Sequence, residues 1–242
     1  MKPLSATSPD GVLLVDKAEG MTSHDVVALT RRQLGTKKIG HCGTLDPIAT
    51  GLLLLTVGRG TKVQDLLMSE DKEYVGTFVL GVTTDTQDRE GEVIQQRPVP
   101  PLDENQIRAA FEKFHGDFYQ VPPMVSAKKH RGVPLYKLAR EGKVVEREPR
   151  LVHVYRYTIN GVASPEIHFS VLCSKGFYVR TYVHDIGEVL GCGAHLKSLR
   201  RTKSGRFDVA NAITVDEIKN AMPDQILKRM LSLPEVSRMR GA

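Results

Sequence analysis

The chain has 242 residues, 40% hydrophobic and 26% charged, the balance of a soluble globular protein with a core large enough for one domain or two small ones. No run approaches the roughly 18 apolar residues of a membrane-spanning helix, and the opening MKPLSATSPDG lacks the apolar core of a secretion signal, so a cytoplasmic protein is expected. Three cysteines (Cys42, Cys173, Cys192) without a CxxC pair argue against a disulfide scaffold or zinc ribbon, and 34 Lys+Arg against 28 Asp+Glu leave a formal charge of +6 that permits a polyanionic partner.

GVLLVDKAEG, Gly11 to Gly20, predicts a buried strand ending in a turn. Thr22 or Ser23 then offers the N-cap of a helix whose Val26, Val27, Thr30 and Leu34 recur at helical spacing. In GHCGTLDPIATG, from Gly40 to Gly51, three glycines and Pro47 frame a single acid, Asp46. Glycine opens unusual backbone conformations and proline fixes φ, so the stretch predicts a loop of defined path that holds a side chain outward. The competing reading is a tight turn whose aspartate bonds its own backbone. LLLLTV, Leu52 to Val57, predicts a buried strand that anchors the loop's exit.

Lys72 to Thr84 predicts one strand with Tyr74, Phe78, Leu80 and Val82 on one side. The acidic stretch after it misses the calcium-loop pattern, because Asp85, Asp88 and Glu90 are wrongly spaced, and reads as a polar connection. Asp103 caps a helix carrying Ile107, Ala110, Phe111 and Phe114 on one face, with Gly116 to stop it. Gln120 to Lys143 passes from a proline-stiffened segment through a basic loop into a short amphipathic helix. Strands are predicted at Leu151 to Ile159 and Glu166 to Cys173. A helix follows with Val179, Val183, Ile186 and Leu190 on one face and Tyr178 and Arg180 in its first turn. AHLKSLRRTKSGRF, a Gly- and Asn-containing connection and a helix from Val215 form the tail. No internal repeat, low-complexity tract or dividing linker is evident.

Basic residues gather at Arg31, Arg32, Lys37 and Lys38, at Lys128, Lys129 and Arg131, at Lys137, Arg140 and Lys143, and from Lys197 to Arg206. One such cluster is ordinarily a solvated face, but four beside loops favour a phosphate-binding surface. With no tryptophan and 6% aromatics, an extended base-stacking platform is poorly supported. Phosphate-loop, dinucleotide, serine-hydrolase and HExxH signatures are absent. Cys192 and His195 form a lone CxxH pair without the second half of a zinc site, so no metal is expected. No second carboxylate is spaced to share acid–base work with Asp46, yet a lone aspartate can act as nucleophile or base when a cation keeps it ionised.

GHCGTLDPIATGLLLL, preceded by VDKAEGMTS and followed by DKEYVGTFVLGVTTDTQDREG, QVPPMVSAKK, LYKLAREG and CSKGFYVRTYVHDIGEVLGCGAHLKSLRRTKSGRF, resembles the bacterial TruB family of tRNA pseudouridine synthases, in order from about Gly11 to Asn211. The resemblance implies an α+β pseudouridine-synthase fold: a mixed, largely antiparallel central sheet flanked by helices, with an RNA-binding cleft. It implies isomerisation of uridine 55 in the tRNA T arm, from an N-glycosidic to a C-glycosidic bond, without a cofactor. Residue by residue, Asp46 matches the family's catalytic aspartate, Arg180 the arginine that pairs with it, and Tyr74 the tyrosine that packs on the target base. Tyr178 matches another pocket residue, His41 a histidine against the remodelled RNA loop, and Leu199 a leucine lining the uracil pocket. Lys17 reads as structural support.

These roles are physically reasonable. A stacked base must be extruded at a cost of a few kcal/mol, and flat side chains recover roughly 1 to 3 kcal/mol per base. A guanidinium fork fixes a carboxylate better than lysine does, and an apolar wall keeps water from the detached base. The expected organisation is an extension over 1–10, a catalytic domain over 11–214 and a helical tail over 215–242. The basic insertion at about 126–143 would grip RNA through Lys128, Lys129 and Arg131, and Arg200 would add a phosphate contact. Family members commonly add a C-terminal RNA-binding domain of the PUA type, and the chain stops about where it would begin. Binding should then rest on the catalytic domain and insertion. The expected partner is the tRNA T arm, with no metal, membrane or obligate protein partner, in a stand-alone monomer. The guide-RNA-dependent relatives and a tRNA-folding chaperone with incidental or absent catalysis are the alternatives.

Overall fold

The computed structural model describes residues 9–126, 129–130, 132–135, 143 and 145–241. The chain divides into two compact units, one of Met1–Lys72 with Arg200–Ala242, the other of Glu73–Leu199.

The first unit is built around β1 (Gly11–Lys17) and β3 (Ala49–Val57), antiparallel along their full length from Gly11 opposite Val57 to Lys17 opposite Gly51. Their VLLV and LLLL runs are buried on both faces, which is why neither alternates. β2 (Ile39–Cys42) pairs with the far half of β3, and β14 (Ile213–Thr214) lies parallel to β1. The strand order is β14-β1-β3-β12, where β12 (Ala194–Ser204) gives this unit its last residues and β13 (Phe207–Asp208) folds back on them. A Cβ on Gly51 would collide with the Arg201 backbone, so only glycine allows that approach. Between β1 and β2, α1 (Ser23–Leu34) opens with a capping box of Thr22 and Asp25 and buries Val26, Val27, Leu29 and Thr30, while Leu34 stays half-exposed. A short helix, α2 (Gln64–Met68), follows β3. The tail folds into α5 (Val215–Asn220), α6 (Pro223–Leu227) and α7 (Leu233–Arg240), whose buried Ile218, Ile226 and Val236 anchor it. Leu231 and Val12 exchange backbone hydrogen bonds of 2.9 and 2.8 Å, fastening the tail to β1.

The second unit has the order β12-β4-β11-β10-β7. Here β4 is Lys72–Leu80, β7 Gly116–Gln120, β10 Arg150–Ala163 and β11 Glu166–Cys173; β10 runs antiparallel to both β11 and β7. Against it lie α3 (Glu104–Glu112), capped by Asp103, and α4 (Val179–Val189). Phe78 and Phe169 from the sheet meet Phe111 and Tyr182 from these helices, with ring centroids 5.7 to 6.4 Å apart. The strand pairs are therefore largely antiparallel, with β14 beside β1 a parallel exception, and helices flank the sheet, as the resemblance implied.

Several expected boundaries shift. The strand predicted through Thr84 breaks at Gly81, whose φ of 88° suits glycine, and β5 (Val82–Thr84) joins β6 (Val93–Gln96) in a separate hairpin. Val82 thus leaves the face shared by Tyr74, Phe78 and Leu80. Phe114 lies beyond the end of α3, and Leu190 just beyond α4. AHLKSLRRTKS is a strand, with Ala194, Leu196 and Arg201 buried. In the insertion, β8 (Lys129–His130) pairs with β9 (Val133–Pro134), whereas the predicted amphipathic helix lies outside the described residues, as do Lys128, Arg131, Lys137 and Arg140.

Candidate active site

The aspartate loop is shorter than its glycine spacing suggested, because Gly40 to Cys42 belong to β2 and Ala49 to Gly51 to β3. Residues 43–48 remain, and the carbonyls of Gly43, Leu45, Asp46 and Pro47 are held. Arg201, only 1% exposed, donates through Nη2 to the Gly43 carbonyl (3.2 Å) and through Nε to the Leu52 carbonyl (2.7 Å). The buried Ser23 hydroxyl donates to the Leu45 carbonyl (3.1 Å) and accepts from its N–H (2.8 Å). The Asp46 carbonyl accepts from Ala49 N–H at 3.0 Å, closing a turn across Pro47. The Pro47 carbonyl accepts from Gly20 N–H at 2.9 Å and from Lys17 Nζ at 3.4 Å. Lys17 is fully buried, and its ammonium also donates to the Ala18 and Met21 carbonyls, joining the β1 turn to the loop. Leu45 and Ile48 are buried on either side of the partly exposed Asp46. The arrangement fixes the backbone on which a single carboxylate is carried.

His41, on β2, meets His24 edge-on at 5.2 Å. Burial, aided by His24 and Arg201, lowers its pKa to about 4, so its imidazole is neutral near pH 7. Its buried Nδ1 has no hydrogen-bond partner among the described residues.

In the second unit, Tyr178 occupies the capping position of α4 and Arg180 its first turn. The Gln120 amide clasps the Tyr178 backbone, accepting from its N–H at 2.8 Å and donating to its carbonyl at 3.1 Å. Arg180 is 4% exposed; its Nη1 donates to the Thr86 carbonyl (2.8 Å) and its Nη2 to the Val125 carbonyl (2.7 Å). Nη1 also lies 3.5 Å from Asp88 Oδ2. Asp88 itself accepts from the Thr86 hydroxyl and the Glu90 N–H, and Gln87 before it has a φ of 64°, rare for a side-chain-bearing residue. The polar connection between strands is therefore a cradle for Arg180. Tyr74 and Leu199, each 8% exposed, stand on the neighbouring strands β4 and β12.

Arg200 forms a two-point ion pair with Asp16 (2.9 and 2.7 Å) while keeping 40% of its side chain exposed. Of Lys129 only the strand is described. Sequence reasoning missed Ser23, Arg201, Gln120 and Asp88. Among the described residues no group of three or more His, Cys, Asp or Glu could hold a metal ion, and no helix is long and apolar enough to cross a membrane.

Residues 31–179 match the family model of the N-terminal domain of TruB family pseudouridylate synthases, and residues 180–234 that of the tRNA pseudouridylate synthase B C-terminal domain. The chain is 54% identical over 222 residues to tRNA pseudouridine synthase B of Opitutus terrae, covering 92% of each protein. It is 47% identical over 229 residues to that of Syntrophotalea carbinolica, covering 95% of this chain and 75% of the relative. Among solved structures, a Cbf5-Nop10-Gar1 complex aligns with a TM-score of 0.73 and 28% identity over 96% of this chain, which spans 62% of that one. The archaeal box H/ACA Nop10-Cbf5 complex aligns at 0.70 and 27%, over 99% of this chain and 64% of that one.

Proposed function

The chain belongs to the TruB family of tRNA pseudouridine synthases, and from that premise we propose that it isomerises uridine 55 in the T arm of tRNA. The observation that carries the reading is the clamped loop, in which Arg201, Ser23, Ala49, Gly20 and Lys17 hold the backbone on both sides of Asp46. A reaction that detaches a base, turns it and rejoins it by a different atom needs a carboxylate fixed relative to the sugar, because small misplacements of a reacting group cost large factors in rate.

In this reading Asp46 is the catalytic carboxylate and Arg180 the guanidinium that keeps it ionised. The Thr86 and Val125 carbonyls and Asp88 support Arg180, holding its fork in one orientation. Tyr74 packs on the extruded base, Tyr178 and Leu199 complete the uracil pocket, and neutral His41 meets the remodelled RNA loop without adding charge. The apolar neighbours Leu45 and Ile48 keep water away from the aspartate's base, as an isomerisation requires. The catalytic domain spans 11–214, and the insertion at 126–143, with Lys128, Lys129, Arg131 and, beyond it, Arg200, supplies phosphate contacts. The enzyme works as a cytoplasmic monomer without cofactor. Phosphate contacts scale the salt dependence of binding while the pocket selects the base.

Incubating the purified chain, without metal or cofactor, with an unmodified T-arm hairpin and mapping pseudouridine chemically tests the reading. Product at the position equivalent to 55 alone is expected. Product elsewhere, or a hairpin bound much more weakly than whole tRNA, would overturn the T-arm assignment. Tight binding without product on either RNA would favour the chaperone reading.

A further inference from the structure

The second unit carries a surface that the proposed catalytic roles do not use. On the outer face of β7 and β10, Tyr119 is 72% exposed, Leu151 60% and Tyr155 46%. Strand register makes them one surface: Leu151 lies directly opposite Tyr119, and His153 opposite Asp117. The His153 ring sits 4.4 Å from that of Tyr155, and its Nδ1 is 2.7 Å from Asp117 Oδ1. The opposite faces of the same strands bury Val152, Val154 and Gln120, so core and exposed residues alternate along this ribbon. Large side chains this open, gathered on one sheet face, mark a contact surface rather than scattered exposure.

We propose that this face stacks an unpaired base of the tRNA substrate, an inference that rests on the reading of the protein as a tRNA-modifying enzyme. Three observations favour RNA as the occupant. The face carries two exposed tyrosines beside a half-buried histidine, whose flat rings suit bases of any identity. The residues that join β7 to β10 are strongly basic: from Ser126 to Arg150 the chain has eight Lys and Arg against three Glu. Exposed Lys175 follows Ser174, whose hydroxyl accepts from His153 N–H and whose own N–H donates to the His153 carbonyl. Finally, β7 ends the sheet order, and the residue after Tyr119 is Gln120, which clasps the Tyr178 backbone. An RNA strand passing this edge, the last of the sheet among the described residues, meets Tyr119 on one side and the Tyr178 end of α4 on the other.

Composition argues against an extended stacking platform, and the patch is instead a local one of two tyrosines. Its signature follows from that chemistry. Replacing both tyrosines, Tyr119→Ala with Tyr155→Ala, is expected to weaken equilibrium binding of a full-length tRNA transcript about tenfold and raise KM correspondingly. The kcat and the salt slope of binding stay unchanged, because no phosphate contact is lost. The pair Tyr119→Phe with Tyr155→Phe keeps the rings and retains wild-type affinity. Wild-type affinity in the alanine pair, with an unchanged thermal melt, would overturn the proposal. So would a concentration-dependent dimer of the wild type, seen by sedimentation, that the alanine pair abolishes while tRNA binding persists; the face would then join two copies of the chain. Should the wild type bind tRNA yet form no pseudouridine, the catalytic reading fails, while the alanine and phenylalanine comparison still decides what the face does.

Discussion

The Asp46 loop and the Arg180 helix start both present one charged side chain, but they are held in opposite ways. Around Asp46 the clamps fall on the main chain: Arg201, Ser23 and Lys17 reach the carbonyls of Gly43, Leu45 and Pro47. Around Arg180 the clamps fall on the side chain itself, through the Thr86 and Val125 carbonyls and Asp88. A short aspartate has little freedom once its backbone is fixed, whereas a long arginine must be gripped at its tip, since ordering such a side chain costs about 2 kcal/mol in lost rotamers. The clamping partners are distant in sequence in both cases, but they act on the backbone beneath the aspartate and on the tip of the arginine.

That contrast can be broken from either side. The largest effect is expected from Arg180→Lys, which keeps a charge but loses the fork: kcat should fall by about a hundredfold with tRNA affinity nearly unchanged, as single-turnover and binding assays would read. Retained kcat would mean that the grip at the guanidinium tip is not functional. Next, Ser23→Ala leaves the Leu45 N–H and carbonyl unpaired; it should lower stability by about 1 to 3 kcal/mol and kcat by about tenfold, seen in urea melts and initial rates. If stability drops and kcat does not, the backbone clamp serves folding alone. A smaller effect, a few-fold in kcat, is expected from Gln120→Leu, which frees the Tyr178 backbone while filling the same space; a rise in KM alone would place Gln120 in RNA binding instead.

The last expectation concerns pH and leaves activity near neutral pH untouched. His41 has its pKa lowered from 6.5 to about 4 by burial. Above pH 6.5 it is neutral in both folded and unfolded chains and contributes no pH dependence. As pH falls from 6.5 towards 4 only the unfolded chain takes up the proton, so folding stability declines across that window, by up to about 3 kcal/mol for a shift of this size. His41→Asn should flatten the decline between pH 6.5 and 4 in thermal melts, and an unchanged slope would show that other groups carry it.

Legibility followed the range of the interactions. The buried strands β1 and β3 and the helices α1, α3 and α4 were readable because apolar runs, periodicity and caps such as Thr22 and Asp103 are local. Asp46 stood out for the same reason, framed by glycines and a proline a few residues away. Ser23 looked like a possible cap, yet its partner is Leu45, 22 residues on. Gln120 acts on Tyr178 across 58 residues and Arg201 on Gly43 across 158. A polar side chain bonded to a distant carbonyl leaves no periodic trace. Strand β12 was hidden for a related reason, since Arg201 occupies a core position where an apolar residue would have completed the alternation.

The central claim, that Asp46 carries the chemistry, is tested most directly by Asp46→Asn, which keeps the size and the loop but removes the charge. Pseudouridine formation on full-length tRNA should fall below detection while tRNA affinity and thermal stability stay close to wild type. Turnover retained within tenfold of wild type would contradict the account and move the catalytic role to another residue.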